Sequence, residues 1–390
     1  MADKVKVLHA IASIDPSYGG PFQVLRGLHR GFGRFNVEMS ILTASSGAAR
    51  TDEENAARFP GARVHFIRPL WRRYAWDPSL RTQIGPLLAS AELVHVHGLF
   101  NGLSRDAAMA CREAKIPYLI EPFGTLSPYC LKKSRLLKSI SLSLGERRNI
   151  EQAAAVRFTS PQEEAKAKLN FRIHGGFWVP NGVNWKEFED LPPAGGLRRS
   201  LIVSPDEKIL LFMGRLQPIK GLELLIPAFV RWRDDRGALW RLVLAGPDER
   251  GYRAQLERLI RKERGEACVH LTGALYGHQR LEAFADADAV ALVSYHENFG
   301  LSAAEGMAAG KPVLVSDEMD LAELVREKDL GETTALSIDA IRRALDRLAG
   351  REDEWERIGA RGRDWARGHF DWTRTAEVIY KKYRDITDSA

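Results

Sequence analysis

Two glutamates with seven residues between them stand in the sequence Glu297-Asn-Phe-Gly-Leu-Ser-Ala-Ala-Glu305, and the chain continues as Gly306-Met-Ala-Ala-Gly310-Lys-Pro-Val-Leu-Val-Ser316. The preceding run, Ala-Val-Ala-Leu-Val-Ser294, is apolar and bounded by polar residues, which predicts a buried parallel strand. Glu297 then lies in the loop that leaves the carboxyl end of this strand. Ser302 is predicted to cap the next helix and to place Glu305 in its first turn. A ligand site at the carboxyl end of a strand, facing a helix N-terminus, is typical of an open α/β sheet.

Each glutamate also has an ordinary structural interpretation. Ser302-x-x-Glu305 matches a capping box, in which the carboxylate binds only the backbone N–H of Ser302. Glu297 taken alone is consistent with an exposed acid in a loop. The Phe-Gly turn after Glu297 and the sequence Gly310-Lys-Pro-Val favour a binding site over both interpretations.

The composition describes an ordinary globular protein that is long enough for two domains. Of its 390 residues, 45% are hydrophobic and 28% are charged, and a single core rarely grows past about 250–300 residues. The three cysteines are too widely spaced for a disulfide framework or a metal site and favour a reducing compartment. The first residues lead straight into a strand without a signal-peptide core, and no apolar run reaches the roughly 20 residues of a membrane span.

The first half of the chain alternates predicted strands and helices. The strand at residues 5–12 precedes the loop Tyr18-Gly19-Gly20-Pro21 and a helix, but the G-x-G-x-x-G dinucleotide fingerprint is absent. The two glycines are also consistent with a simple chain turn. Further on, Val94-His95-Val96-His97-Gly98 puts both histidines on one face of a strand, which would permit a metal pair. No acid or third ligand follows at a suitable spacing, so no metal site is predicted, and His95 fits a core position.

The second half restarts the alternation near Lys208. The apolar run Ile209-Leu-Leu-Phe-Met213 predicts a buried strand, and the loop Gly214-Arg215-Leu-Gln-Pro-Ile-Lys220-Gly221 leads to a helix from Leu222. Arginine offers a planar fork of donors, lysine a compact charge, and the helix N-terminus a partial positive charge. The pattern therefore predicts a diphosphate clamp, although two solvated loop cations are the alternative.

The E-x7-E and G-R-x4-K-G patterns, together with Val179-Pro180-Asn181-Gly182-Val183, resemble the motifs of retaining nucleotide-sugar glycosyltransferases of the GT-B fold, family 4. The resemblance covers nearly the whole chain. It implies two Rossmann-like αβα domains that face a cleft. We expect residues 1–182 and a C-terminal helix at 372–390 to form the acceptor-side domain, and residues 183–371 to form the nucleotide-sugar domain.

The resemblance also implies roles for the matching residues. Arg215 and Lys220 would hold the diphosphate, Glu305 would accept bonds from the ribose hydroxyls, and His97 would orient the sugar. The hexose would be held by Glu297 and by the adjoining turn, Asn298, Phe299, Gly300 and Leu301. Gly19 and Gly20 match the Gly-Gly of the acceptor side. Neither a metal nor another cofactor is expected, and since no residue is an obvious nucleophile, front-face attack by the acceptor is the expected route to retention.

Two further segments bear on the acceptor. The sequence Glu121-Pro-Phe-Gly124-Thr-Leu-Ser-Pro128 resembles the Pro-His-Gly motif of a branch often found in surface-polysaccharide pathways, but Phe123 stands in place of the histidine. Residues 131–148 interleave basic and aliphatic side chains, a pattern typical of a segment on an anionic bilayer. An ordinary surface helix with extended lysine stems is the alternative.

The expected partners are a UDP- or GDP-sugar and a saccharide acceptor, either free or linked to a polyprenyl diphosphate, in the cytoplasm or at the inner face of its membrane. The net charge of +6 favours anionic partners in general, but no nucleic-acid partner is predicted. A sugar-nucleotide epimerase of the same fold, a glycosidase pair and a non-catalytic anion-binding protein are the rival interpretations. The cationic clamp argues against the glycosidase, since a neutral glycoside does not need it.

Overall fold

A computed structural model describes residues 4–71 and 74–389. The chain divides into two compact units, which we call unit 1 (Met1–Gly182 with Trp372–Ala390) and unit 2 (Val183–Asp371). Each unit contains one parallel β-sheet with its own helices, so two α/β domains are present, as the sequence predicted. Among the described residues, no helix has the length and apolar character needed to cross a membrane.

Unit 1 is built on a seven-stranded sheet. Its strands are β1 (Val5–Ile11), β2 (Val37–Ala44), β3 (Arg63–Ile67), β4 (Leu93–His97), β5 (Tyr118–Glu121), β6 (Ala155–Phe158) and β7 (Gly176–Trp178). Its helices are α1 (Gly20–Gly31), α2 (Ala49–Ala56), α3 (Leu80–Leu88), α4 (Gly102–Ala114), α5 (Pro128–Lys132), α6 (Arg135–Ser141), α7 (Arg147–Glu151) and α8 (Pro161–Lys168).

Unit 2 is built on a six-stranded sheet. Its strands are β8 (Lys208–Met213), β9 (Trp240–Ala245), β10 (Val269–Gly273), β11 (Ala289–Leu292), β12 (Val313–Ser316) and β13 (Gly331–Thr334). Its helices are α9 (Trp185–Glu189), α10 (Gly196–Leu201), α11 (Leu222–Arg236), α12 (Tyr252–Lys262), α13 (Gly277–Asp286), α14 (Leu301–Ala308), α15 (Leu321–Glu327), α16 (Ile338–Ala349) and α17 (Trp355–His369). Helix α18 (Trp372–Thr387) follows and returns to unit 1.

Both sheets reverse their strand order at one point. The orders are β3-β2-β1-β4-β5-β6-β7 and β10-β9-β8-β11-β12-β13, so the reversals lie between β1 and β4 and between β8 and β11. Chain connections leave the two strands on either side of a reversal in opposite directions, which opens a crevice at their carboxyl ends. These two crevices are where each unit is expected to bind a ligand.

Helix α18 completes the core of unit 1. Its Trp372 packs directly on α1, where a Cβ at Gly27 would lie 2.0 Å from the indole ring. Tyr383 is fully buried farther along the helix, and Thr375 donates a hydrogen bond to the carbonyl oxygen of Pro180 at 2.9 Å. The last helix is therefore a structural part of unit 1.

Candidate functional site

The crevice of unit 2 brings Lys220 and Glu297 together. Gly221 has a φ of +64°, and a Cβ there would lie 2.2 Å from the carbonyl oxygen of Val293, so the loop after β8 packs against the end of β11. The backbone N–H of Tyr295 donates to the carbonyl oxygen of Ile219 at 2.8 Å and fixes the two loops side by side. In this arrangement the Lys220 ammonium forms an ion pair with Oε2 of Glu297, and both side chains are largely buried.

Arg215 lies in the same loop and has a different partner. Its Nη1 atom is 3.0 Å from Oε2 of Glu249, a residue in the loop that follows β9. The loops are joined by backbone bonds between Leu216 and the segment 247–249. Glu249 could not be identified from the sequence, because its contact with Arg215 depends on how β8 and β9 pair and no recognisable motif surrounds it.

Helix α14 begins at Leu301, with Gly300 as its N-cap. Gly300 has a φ of +78°, and a Cβ there would meet Met319 at 2.6 Å, so glycine is required by both conformation and space. The prediction that Ser302 caps this helix is wrong, because Ser302 lies inside the first turn and no side chain caps the helix. The Phe299 ring is buried edge-on against Phe370, so Phe299 can contact a ligand only through its backbone.

Glu305 is buried and forms an ion pair with Arg280 on α13. The Arg280 guanidinium also contacts Oε2 of Glu187 on α9 at 3.1 Å. The capping-box interpretation of Glu305 is therefore wrong.

Burial raises the pKa of the Glu305 carboxyl, and the charge and hydrogen bond of Arg280 act in the opposite direction. Neither Arg280 nor Glu187 was identified from the sequence, since both lie outside the motifs.

The crevice of unit 1 lies between the loop after β1 and the end of β4. Gly19 has φ and ψ of +78° and −129° and connects a short 3-10 turn to α1, so the chain turn that we considered is present there. Gly20 begins α1, and a Cβ there would meet nothing within 4 Å, so a side chain could be accommodated at this position.

His97 ends β4, as the sequence predicted, but its ring is fully buried. Its Nδ1 lies 3.1 Å from Oε2 of Glu121, and its Nε2 lies 2.9 Å from Nδ1 of His9. The expectation that this side chain faces a sugar is therefore not met in the structure. Phe123, with an unusual φ of +51°, stacks on the ring at a centroid distance of 6.2 Å.

His97 belongs to a buried polar network inside unit 1. Glu121 also pairs with the buried Arg157, whose Nη2 donates to Oδ1 of Asn181 at 2.7 Å. On the other side, His95 Nδ1 lies 2.6 Å from the Tyr383 hydroxyl of α18. With His9 of β1, which bonds His97, the network ties four strands (β1, β4, β5 and β6) to the domain-boundary sequence and to the last helix.

His9 and His95 are held neutral in this network. Burial lowers the pKa of each imidazole well below its ordinary value of 6.5, and positive charge on neighbouring side chains acts in the same direction. The Nε2 atoms of both rings have no hydrogen-bond partner among the described residues.

The prediction that no third ligand lies near His95 and His97 is wrong. His9 on the neighbouring strand β1 is the third, with ligand atoms of the three rings within 4.8 Å of one another. The register of β1 and β4 pairs His9 with His95, so strand pairing was the missing signal. A bound metal lies in the plane of each imidazole, whereas the rings of His95 and His97 are stacked 4.0 Å apart at 27°. The rings of His95 and His97 therefore do not share a plane, and His97 uses both of its nitrogens for hydrogen bonds with His9 and Glu121.

Two family models match the chain in succession. The model of the glycosyl transferase 4-like domain matches residues 19–181, and that of glycosyl transferases group 1 matches residues 197–365. The chain belongs to the group 1 glycosyltransferases. The predicted family and the predicted transferase activity are thereby confirmed, and the non-catalytic alternative is set aside.

Relatives with assigned activities resemble this glycosyltransferase over part of their length. The D-inositol 3-phosphate glycosyltransferase of Nocardia farcinica is 28% identical over 335 residues, which cover 78% of this chain and 68% of the relative. The lipopolysaccharide 1,2-N-acetylglucosaminetransferase of Salmonella typhimurium is 30% identical over 218 residues, or 54% of this chain and 56% of the relative.

Solved structures share the fold over nearly the whole chain. Sucrose-phosphate synthase from Thermosynechococcus elongatus superposes with a TM-score of 0.78 at 20% identity, covering 99% of this chain and 100% of that one. Anabaena HepE, solved in complex with UDP and glucose, gives a TM-score of 0.79 at 19% identity, with 98% and 100% coverage. These neighbours confirm the predicted GT-B fold class.

The buried histidines predict a pH-dependent stability of unit 1. His9 and His95 stay neutral in the folded protein, but the unfolded chain takes up their protons near pH 6.5. The free energy of unfolding should therefore fall as the pH drops below about 6.5, by up to about 1.4 kcal/mol per pH unit for each histidine. Denaturant unfolding of wild type and of His9→Asn, which keeps a polar group but cannot be protonated, isolates this effect.

We expect the His9→Asn variant to be less stable than wild type at pH 8, and the difference to shrink between pH 7 and pH 5. His278→Ala, at an exposed histidine of unit 2, is the control and should leave the profile unchanged. If the free energies of unfolding of wild type and His9→Asn differ by the same amount at every pH, His9 is not held neutral by burial in the folded protein.

Proposed function

We propose that this glycosyltransferase moves a hexose from a UDP- or GDP-sugar to a hydroxyl of a saccharide acceptor, with retention of the anomeric configuration, in polysaccharide or glycan biosynthesis. The observation that carries the proposal is the convergence of Arg215, Lys220, Glu297 and the N-terminus of α14 on the sheet reversal of unit 2. An open α/β sheet binds its ligands at such a point.

The two cations would bind the diphosphate and stabilise the charge that develops on it as the sugar departs. This is the electrostatic work that a divalent metal performs in other transferases, so we propose a metal-independent reaction. Each cation already has a carboxylate partner, Glu249 for Arg215 and Glu297 for Lys220. A diphosphate must therefore replace or share these ion pairs. Its affinity reflects the difference in free energy between the cation–diphosphate contacts that form and the cation–carboxylate contacts that are lost.

The remaining groups would position the donor. Glu305 would accept bonds from the ribose hydroxyls, while Glu297 and the backbone N–H groups near Gly300 and Leu301 would hold the hexose. Asn298 belongs to the same turn. We propose front-face attack by the acceptor hydroxyl, with the departing diphosphate taking up its proton, and the loop at Gly19 and Gly20 on the acceptor side.

The neighbours and relatives support the donor and acceptor classes. HepE was solved with UDP and glucose, and the Salmonella relative acts on lipopolysaccharide. For this chain, we propose a nucleotide-sugar donor and a saccharide acceptor, which could be carried on a polyprenyl diphosphate. We propose no nucleic-acid partner for this reaction.

We further propose that residues 131–148 contact an anionic membrane surface. The segment is broken into the short helices α5, α6 and α7, with a π-helical turn at residues 142–146. Leu136, Leu137 and Ile140 all project from α6 into solvent, close to the exposed cations Lys132, Lys133 and Arg135. Lys138 is not one of these cations, because it is half-buried over Phe100 and donates to the carbonyl oxygen of Cys130.

Removing either clamp cation should weaken nucleotide binding. Each of Arg215→Ala and Lys220→Ala loses a charge-assisted contact, on the order of 1.5–3 kcal/mol, or roughly tenfold to a hundredfold in affinity. Titration calorimetry with UDP and GDP measures the effect. Arg231→Ala, which removes an Arg–Glu pair elsewhere in unit 2, is the control. Wild-type affinity for a diphosphate nucleotide in both clamp variants would refute the assignment.

Chelation should leave transfer largely unchanged. If Arg215 and Lys220 supply the positive charge at the diphosphate, the initial rate of donor consumption should be the same with and without EDTA. Loss of the rate under EDTA, with recovery on adding Mg²⁺ or Mn²⁺, would overturn the metal-independent proposal.

The membrane contact can be tested with vesicles. We expect co-sedimentation with vesicles rich in phosphatidylglycerol and little with pure phosphatidylcholine. Leu136→Ser combined with Leu137→Ser should weaken this binding at least about tenfold, because burying each leucine side chain contributes about 1.5–3 kcal/mol when complete. Leu169→Ser is a matched control, since Leu169 is as exposed as Leu136 (74% and 75%) but lies at the end of α8. Equal binding by the double variant and the control would rule out this segment as the contact.

A further inference from the structure

Arg280 lies between two carboxylates that come from different helices of unit 2. Its guanidinium on α13 pairs with Oε1 of Glu305 on α14 and lies 3.1 Å from Oε2 of Glu187 on α9. The Arg280 side chain is only 16% exposed. Three helices thus meet at a single cation, which sits beside a residue of the proposed donor site.

Aromatic rings hold the guanidinium in place. Its central carbon lies 5.4 Å from the centroid of Phe188 and 5.8 Å from that of Phe284, within the range of cation–π attraction. The two rings also contact each other edge-on at 5.6 Å. A planar, fully delocalised cation suits this setting, whereas lysine would lose the forked contacts and the stacking.

The contact with Arg280 constrains Glu305 without covering it. The ion pair uses Oε1, and the Glu305 side chain keeps 11% of its surface exposed. An ionised carboxylate offers about four acceptor positions, so Oε2 can still receive hydrogen bonds. A neutral, protonated carboxyl would have fewer acceptor positions and an undefined orientation.

We propose that Arg280 is the positioning residue for Glu305: it fixes the orientation and the negative charge of this carboxylate, so that Glu305 accepts hydrogen bonds from the ribose hydroxyls of the donor nucleotide. This inference rests on the proposed function. Glu187 contacts the side of the guanidinium opposite Glu305, so that the Arg280 cation lies between two carboxylates.

Arg280 also sets how donor binding responds to pH. Burial raises the pKa of Glu305, and Arg280 opposes this effect. The charged groups that face Glu305 are Arg280 from α13 and Glu187 from α9. Without Arg280, burial and Glu187 would act together, and Glu305 would be protonated at a higher pH.

The test compares the binding of UDP with that of 2′,3′-dideoxy-UDP, and of GDP with its dideoxy analogue, by calorimetry. Wild type should prefer the ribose form of the nucleotide that it binds by about tenfold to a hundredfold, because the hydroxyls donate to a charged acceptor. Arg280→Met should lose most of this preference. What remains of its ribose preference should also fall from pH 8 to pH 6 more steeply than the preference of wild type does. The terminal phosphate, which titrates in this range, is common to both nucleotides and cancels in this comparison.

Two further variants distinguish the loss of Glu305 positioning from a general destabilisation of unit 2. Arg198→Met removes a guanidinium of matching exposure (17%) that pairs with Asp286, at the other end of α13. It should keep the ribose preference of wild type and the pH dependence of that preference. Glu187→Gln removes the charge on the far side of the guanidinium and should reduce the preference less than Arg280→Met does.

The outcomes are distinct. An Arg280→Met protein that prefers ribose as strongly as wild type overturns the inference. If this variant does not fold, Arg280→Lys decides: it should reduce the preference at least about threefold, and an unchanged preference overturns the inference. If wild type binds neither UDP nor GDP, the proposed function fails instead, and if it binds but shows no ribose preference, the role of Glu305 fails.

Discussion

The reversal of strand order in a parallel sheet is the constraint on which the proposed donor site depends. Strands β8 and β11 are neighbours although they are far apart in the chain, so the loops that follow them must leave the sheet side by side. Gly221 allows the first loop to touch the end of β11, and the bond from Tyr295 to Ile219 joins the two. These contacts bring the Lys220 and Glu297 side chains within ion-pair distance of each other.

Charge balance then shapes the site. A charge removed from water is costly unless it is paired, and each charged side chain of the proposed donor site has its own counter-ion: Lys220 with Glu297, Arg215 with Glu249, and Glu305 with Arg280. A diphosphate bound as proposed would have to displace these carboxylates from the two cations. Such an exchange favours a ligand that also satisfies the displaced carboxylate, as the hydroxyls of a hexose would do at Glu297.

The sequence predicted what is local and missed what depends on strand pairing. Residues 209–213 and 289–293 could be recognised as strands because their apolar runs are continuous, and the loop containing Arg215 and Lys220 follows directly from one of them. Ser302 was misjudged because the positive φ of Gly300 moves the helix start two residues towards the N-terminus. Arg280, Glu249 and His9 could not be found, since each meets its partner only when separate elements pack together.

The burial of His97 changes how this histidine can contribute to transfer. Both of its ring nitrogens are engaged, with Glu121 and His9, so the ring has no nitrogen to offer to a sugar in this arrangement. It does fix the end of β4, where the N–H of Gly98 donates to the carbonyl oxygen of Glu121 at 2.8 Å and the next loop begins. The backbone that follows His97 is thus held rigidly by a buried network of histidine, glutamate and arginine. Any effect of His97 on the reaction would pass through the position of that backbone, and the same network would couple it to the stability of unit 1.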